Sequence, residues 1–203
     1  MDHFSKINLR DNVECTLIKS DKQLVRVDMD EAWVDMLEVS VSGDEFLGFD
    51  LESHGQGVPI KVTIHYTELS QLTIKDASCK GEIVMDSLTH LYVISGSQLD
   101  ASMDTKYCNL LMQSGSEVKL GGYCTSLKSQ SESGSMLTAD KLFVEDCIAA
   151  VESGASSKLN VSKTLTATAK SGGNISYVGS PEMKGLEAQS GGTVKKIEEG
   201  TAL

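Results

Sequence analysis

Ser95-Gly96-Ser97-Gln98-Leu99-Asp100-Ala101 holds the phrase that decides the fold, because its first three residues return through the rest of the chain. The copies are Ser114-Gly115-Ser116, Ser133-Gly134-Ser135, Ser153-Gly154-Ala155, Ser171-Gly172-Gly173 and Ser190-Gly191-Gly192. Successive serines stand 19, 19, 20, 18 and 19 residues apart, and a weaker copy, Asp76-Ala77-Ser78, precedes Ser95 by 19. Self-similarity at a fixed period of this size marks a solenoid, in which one coil cannot bury its apolar face without its neighbours.

Working outward from the phrase, its fifth position reads Leu99, Val118, Leu137, Ser157, Ile175 and Val194, and its seventh reads Ala101, Leu120, Ala139, Leu159, Tyr177 and Lys196. The sixth, between them, is polar throughout: Asp100, Lys119, Thr138, Lys158, Ser176 and Lys195. Apolar, polar, apolar is the period-2 signature of a strand with one buried face. Backward from the phrase, a second strand is expected to turn inward Val93, Met112, Ser131, Val151, Ala169 and Ala188 two residues before the serine, and Leu91, Leu110, Ser129, Ala149, Ala167 and Leu186 four before. Each repeat is therefore strand, corner, strand, with a variable return segment.

A repeat of this length is too short for a strand, crossover helix and return, which need about 30 residues. It suits short strands that pair in parallel with their counterparts one coil away, so the expected class is all-β: a single-stranded, right-handed parallel β-helix of about 19 residues per coil. If the whole chain followed this rule, about ten coils would stack into a rod of roughly 50 Å. Leu99, Val118, Leu137, Ile175 and Val194 form the inward ladder. Ser95, Ser114, Ser133, Ser153, Ser171 and Ser190 form the corners with Gly96, Gly115, Gly134, Gly154, Gly172 and Gly191. Glycine suits such a corner because it reaches positive φ without a Cβ penalty. The serines are expected to bond to neighbouring corners rather than to a ligand.

The chain has 203 residues and a net charge of −11, with 5% aromatic residues. The length supports one large domain without disulfides. The charge argues against nucleic acid and anionic membrane as partners. Five cysteines, Cys15, Cys79, Cys108, Cys124 and Cys147, cannot all pair within one chain. Cys108 and Cys147 fall in one inward column two coils apart, near 10 Å, which is beyond disulfide reach and reads as buried packing. No 18-residue apolar run exists to span a membrane, and the opening residues do not resemble a secretory leader.

Residues 1–58 read as irregular early coils or a cap, and 59–203 as the regular helix continuous with it. In the first part Ile7/Leu9, Val13/Cys15/Leu17 and Val25/Val27/Met29 alternate, Asp30 can cap a short helical turn, and Ser42-Gly43-Asp44-Glu45 is a turn. Trp33, Phe46 and Phe49 are expected to close the open end, and residues 52–59 to form a loop or joint. Pro181 falls in a return segment, and Lys195, Lys196, Glu198 and Glu199 should discourage growth of the last coil.

The recurring corner, the run from Ser171 to Pro181 with its Ile175-Ser176-Tyr177-Val178-Gly179 core, and the opening Phe4-Ser5-Lys6-Ile7-Asn8-Leu9 together resemble the auto-transporter adhesin family with the head GIN domain. The resemblance covers nearly the whole chain. It implies a right-handed β-helix in a bacterial envelope protein, extracytoplasmic at the periplasm or cell surface, and brings no catalytic residues.

The residues themselves offer little chemistry. Asp100, Asp104, Glu117, Asp140, Glu145 and Asp146 could form an acid wall like those of polysaccharide-active β-helices, but they occupy different columns. His3, His54, His65 and His90 share no spacing. No catalytic, cofactor or metal site is assigned, and no phosphate loop or nucleophile elbow is present. The expected function is a non-enzymatic adhesin or binding module for a glycan or surface protein. The alternatives are a polysaccharide lyase or glycoside hydrolase on the same scaffold, or a structural polymer of the bactofilin kind.

Overall fold

Alternating side chains stack into rungs in the computed structural model of the chain, which describes residues 2–51, 59–85 and 89–198. The result is all β apart from one short 3₁₀ turn: a parallel β-solenoid of about 6 turns with about 19 residues per turn. The strands are β1 (Lys6–Arg10), β2 (Val13–Lys19), β3 (Leu24–Asp28), β4 (Leu37–Val41), β5 (Phe46–Leu51), β6 (Ile60–Tyr66), β7 (Gln71–Lys75) and β8 (Ser78–Met85). They continue as β9 (Thr89–Ile94), β10 (Gln98–Met112), β11 (Glu117–Ser131), β12 (Met136–Val151), β13 (Ser156–Ala169), β14 (Asn174–Val178), β15 (Glu182–Ala188) and β16 (Thr193–Lys196). The ten coils expected from uniform repetition are too many, because the segment from β3 to β4 leaves the coil path.

The register follows the repeat. Leu99 pairs with Val118, Val118 with Leu137, Leu137 with Ser157, Ser157 with Ile175, and Ile175 with Val194. All but Val194, which is half-buried, are withdrawn from solvent. The return segments are not loops between β10 and β13. Each of these four strands runs from one Ser-Gly corner to the next, and the chain turns where in-out alternation slips, as at the exposed pair Lys106-Tyr107. At the step of 20 residues, β12 carries its extra residue as a bulge opposite Lys119 and Gly121.

At the corner both residues, not only the glycine, take the left-handed conformation: Ser114 has φ 56° and Gly115 φ 71°. Two consecutive positive φ values characterise the tightest hairpin-type turn. Here they rotate each serine carbonyl toward the preceding coil, where it accepts from that corner's glycine: Gly96 N to Ser114 O at 2.9 Å, Gly115 N to Ser133 O at 3.0 Å, Gly134 N to Ser153 O at 3.1 Å. The corner is thus a backbone ladder parallel to the axis. The third residue turns inward, and the Ser97 hydroxyl donates to Ile94 O at 2.6 Å. The interior is narrow enough for Ser131 and Ser157 to meet through their hydroxyls at 3.2 Å.

The first coil of the chain is not the first of the stack. β1 pairs with β5 on one edge and β7 on the other, and β2 likewise lies between β6 and β8, all in parallel. Asp11 and Asn12, with φ of 54° and 71°, make that coil's corner. The chain then leaves through β3 and a 3₁₀ turn over Glu31–Met36, capped where the Asp30 side chain accepts from Ala32 N. It returns through β4, and β3 and β4 pair antiparallel with β6 and β5. Val25, Val27, Met29, Leu37, Val39 and Val41 pack against the core from these elements and cover the end of the tube. The turn at residues 42–45 is closed by Glu45 N to Ser42 O at 2.9 Å. The loop expected over residues 52–58, with His54, lies outside the described residues, as does Glu199.

Candidate functional site

Because alternate residues face out, every rung adds one row of side chains to the surface, and among the depressions between described residues two stand out by size. The first crosses the outward face of β6, β2, β8, β10 and β11, with β3 as one wall, and has a volume of about 650 Å³. Its floor is charged with both signs: Glu14, Lys61, Lys80 and Asp100, with Arg26 and Asp28 from the wall. None of these six makes an ion pair or side-chain hydrogen bond among the described residues, whereas Lys119 at the far end binds Glu117 at 2.9 Å. That bond raises the Lys119 pKa.

The second depression, also about 650 Å³, follows the second corner of the coils and includes Lys19, Glu68, Asp104, Lys106 and Tyr123. Lys19 bonds to Thr67 O, which fixes one side. Tyr123 pairs in register with Phe143 on the next rung. Tyr123 is 41% exposed, Phe143 62%, and Tyr107 53% at the same corner one rung back. Gly122 makes this corner possible: its φ is 99°, and a Cβ there would stand 2.2 Å from Met103 O. The Tyr123 hydroxyl donates to Glu145 Oε1 at 2.6 Å, and Lys163 Nζ bonds Oε2 at 2.5 Å. Lys163, and then Tyr123, hold the Glu145 carboxyl below its ordinary pKa, and that carboxylate pushes the Tyr123 phenol and the Lys163 ammonium up.

The six acids singled out in the sequence are not brought together as a catalytic set. Asp100 lies in the first depression and Asp104 in the second. Glu117 binds Lys119, Asp140 binds Lys158 at 3.0 Å, and Asp146 accepts from Thr164 at 2.6 Å. A general acid needs a raised carboxyl pKa, and Glu145 moves the other way. Among the described residues no group of three or more His, Cys, Asp or Glu is placed to hold a metal ion. His90 stacks on Tyr92 at 6.3 Å, and His3 lies 3.8 Å from Glu45.

The cysteines are free and buried. Cys108 and Cys147 are separated by the rung of Leu127, and Cys15 pairs in register with Cys79. Burial pushes the Cys124 thiol up to about 11 and Cys147 to about 12, and raises Cys15 and Cys108 strongly. Thiols held in this state are inert packing groups.

The family model for "Putative auto-transporter adhesin, head GIN domain" matches residues 3–181. The chain belongs to this family. Among solved structures, a protein of Bacteroides fragilis described as a putative adhesin is similar with 19% identity and a TM-score of 0.88, over 97% of this chain and 93% of that one. A putative adhesin of Parabacteroides merdae has 14% identity and a TM-score of 0.67 over 98% and 93%. A protein of Parabacteroides distasonis described as a putative lipid binding protein has 14% identity and a TM-score of 0.65 over 98% and 94%. At these identities the likeness shows the family's solenoid fold. No curated protein matches the chain.

Sequence reading passed over Tyr107, Tyr123, Phe143 and Lys163, which sit in the return segments. A signal was present: Tyr123 follows Ser114 by nine residues and Phe143 follows Ser133 by ten, so two aromatics share one repeat phase in an aromatic-poor chain.

Proposed function

We propose that this chain is a non-enzymatic binding module of the bacterial cell envelope, which holds a glycan or protein of a surface against one long side of the solenoid. The observation that carries this reading is the depression beneath β3, where six charged side chains of both signs make no ion pair or side-chain hydrogen bond among the described residues. Charge displayed on paired strands gains contacts on binding at the cost of ordering side chains but little backbone. The family's adhesin description, and the extracytoplasmic location it implies, support the reading. No described helix is long and apolar enough to cross a membrane.

The test is binding of the purified protein to immobilised outer-membrane and cell-wall fractions by biolayer interferometry. Binding should weaken about tenfold or more in Arg26→Glu/Lys80→Glu, with the melting temperature unchanged, since both side chains are exposed. Release of reducing or unsaturated sugars from those fractions would replace this reading with the enzymatic one. Filaments in electron micrographs of the protein alone would replace it with the structural polymer.

A further inference from the structure

Phe143 leaves three-fifths of its surface in water on a strand whose neighbours fix its position. Tyr123, two-fifths exposed, stands one rung away in the same column. Rungs are spaced by about 4.8 Å, so two exposed aromatic residues stand at neighbouring positions along the axis. Hydrogen-bonding groups held in place stand beside Tyr123: the Glu145 carboxylate, bound on both oxygens, and the Lys163 ammonium. The groove running from Tyr123 adds Asp104 and Lys106.

We infer that the Tyr123 end of this groove, with Phe143 on the next rung, is a saccharide site, in which a pyranose ring lays its C–H face on the exposed aromatics while its hydroxyls bond to Glu145 and Lys163. It is a separate site from the charged depression beneath β3. Aromatic rings pair an apolar face with defined geometry, and binding sites combine such apolar surface with a few placed polar groups. Glu68 and Asp104 are balanced by Lys19 and Lys106 in the groove, and Glu145 by its ion pair with Lys163 beside Tyr123, so the charge suits an uncharged sugar rather than a polyanion. A nucleobase would also stack, but it brings phosphates, and a chain of net charge −11 repels them.

The experiment is saturation-transfer NMR on the intact protein with cellohexaose, mannohexaose and chitohexaose as probes, followed by titration of whichever responds. Saturation should concentrate on ring C–H protons. Affinity should fall about tenfold or more in Phe143→Ala and in Tyr123→Ala, persist in Phe143→Trp, and fall less in Tyr123→Phe, which keeps the ring and loses the bond to Glu145. Unchanged circular dichroism and melting in Phe143→Ala exclude misfolding, because the side chain is exposed. No transfer from any of the three sugars, or transfer undiminished in Phe143→Ala, overturns the inference. Arg26→Glu/Lys80→Glu should leave saccharide binding intact, so failure of this site and failure of the envelope-binding reading are read separately.

Discussion

At position 116 a serine hydroxyl points into the tube and meets no hydrogen-bond partner among the described residues, and Ser129 repeats the situation on another face. An unsatisfied buried hydroxyl costs its desolvation and returns nothing. Two rungs on, the same corner position holds Ala155, also buried. Ser116→Ala should therefore raise stability by up to about 1 kcal/mol, measured by urea denaturation. The equivalent change at Ser97, whose hydroxyl bonds Ile94 O, should lower it by a similar amount. Thiols obey the same logic through pH. Burial lifts the folded pKa values of Cys124 and Cys147 above the ordinary thiol range, to about 11 and about 12. A raised folded pKa gives stability that is full below the unfolded value and lost as pH rises toward the folded one. Thermal unfolding should move to lower temperature between about pH 9 and pH 12, and less so in a variant with alanine at Cys108, Cys124 and Cys147.

A strand of this solenoid is defined by which of its faces each residue takes, and Val118 and Lys119 test that directly. Val118 is fully buried; Lys119 faces out and shares an exposed ion pair with Glu117. Val118→Asp should cost about 3 kcal/mol or more, because it buries a carboxylate without a partner. Lys119→Asp should cost less than about 1 kcal/mol, since exposed ion pairs contribute little. Equal melting temperatures would contradict the register. The inward columns were legible because the pleat imposes period 2 and the corner recurs at a nearly constant interval. The return segments were not, because β10 to β13 turn by slipping alternation instead of breaking, and a slip such as Lys106-Tyr107 has no fixed residue signature. That is also why the Tyr123 and Phe143 pair escaped notice.

For the whole molecule, the placing of β1 and β2 inside the stack has a mechanical consequence. Both edges of that coil are paired, so it behaves as a middle rung although it begins the chain. Nearest-neighbour coupling then makes its loss a loss of continuity between the capped end and the regular coils. Deleting residues 1–19 should abolish the cooperative melt seen by circular dichroism. Deleting residues 193–203 should lower the melting temperature while keeping a single transition, because β16 pairs on one side with β14 and nothing described stacks beyond it.

The 19-residue interval by itself determined that side chains one repeat apart are vertical neighbours, and with that the solenoid, its inward ladder and its corners, since a parallel rung pairs residues at constant sequence distance. Only the tertiary structure decided that the first coil is threaded between the second and third, and that Glu145 joins Tyr123 and Lys163 at the end of one groove. The first depends on contacts between segments with no common period and the second on side-chain direction where the alternation slips, and neither leaves a repeating mark in the order of residues.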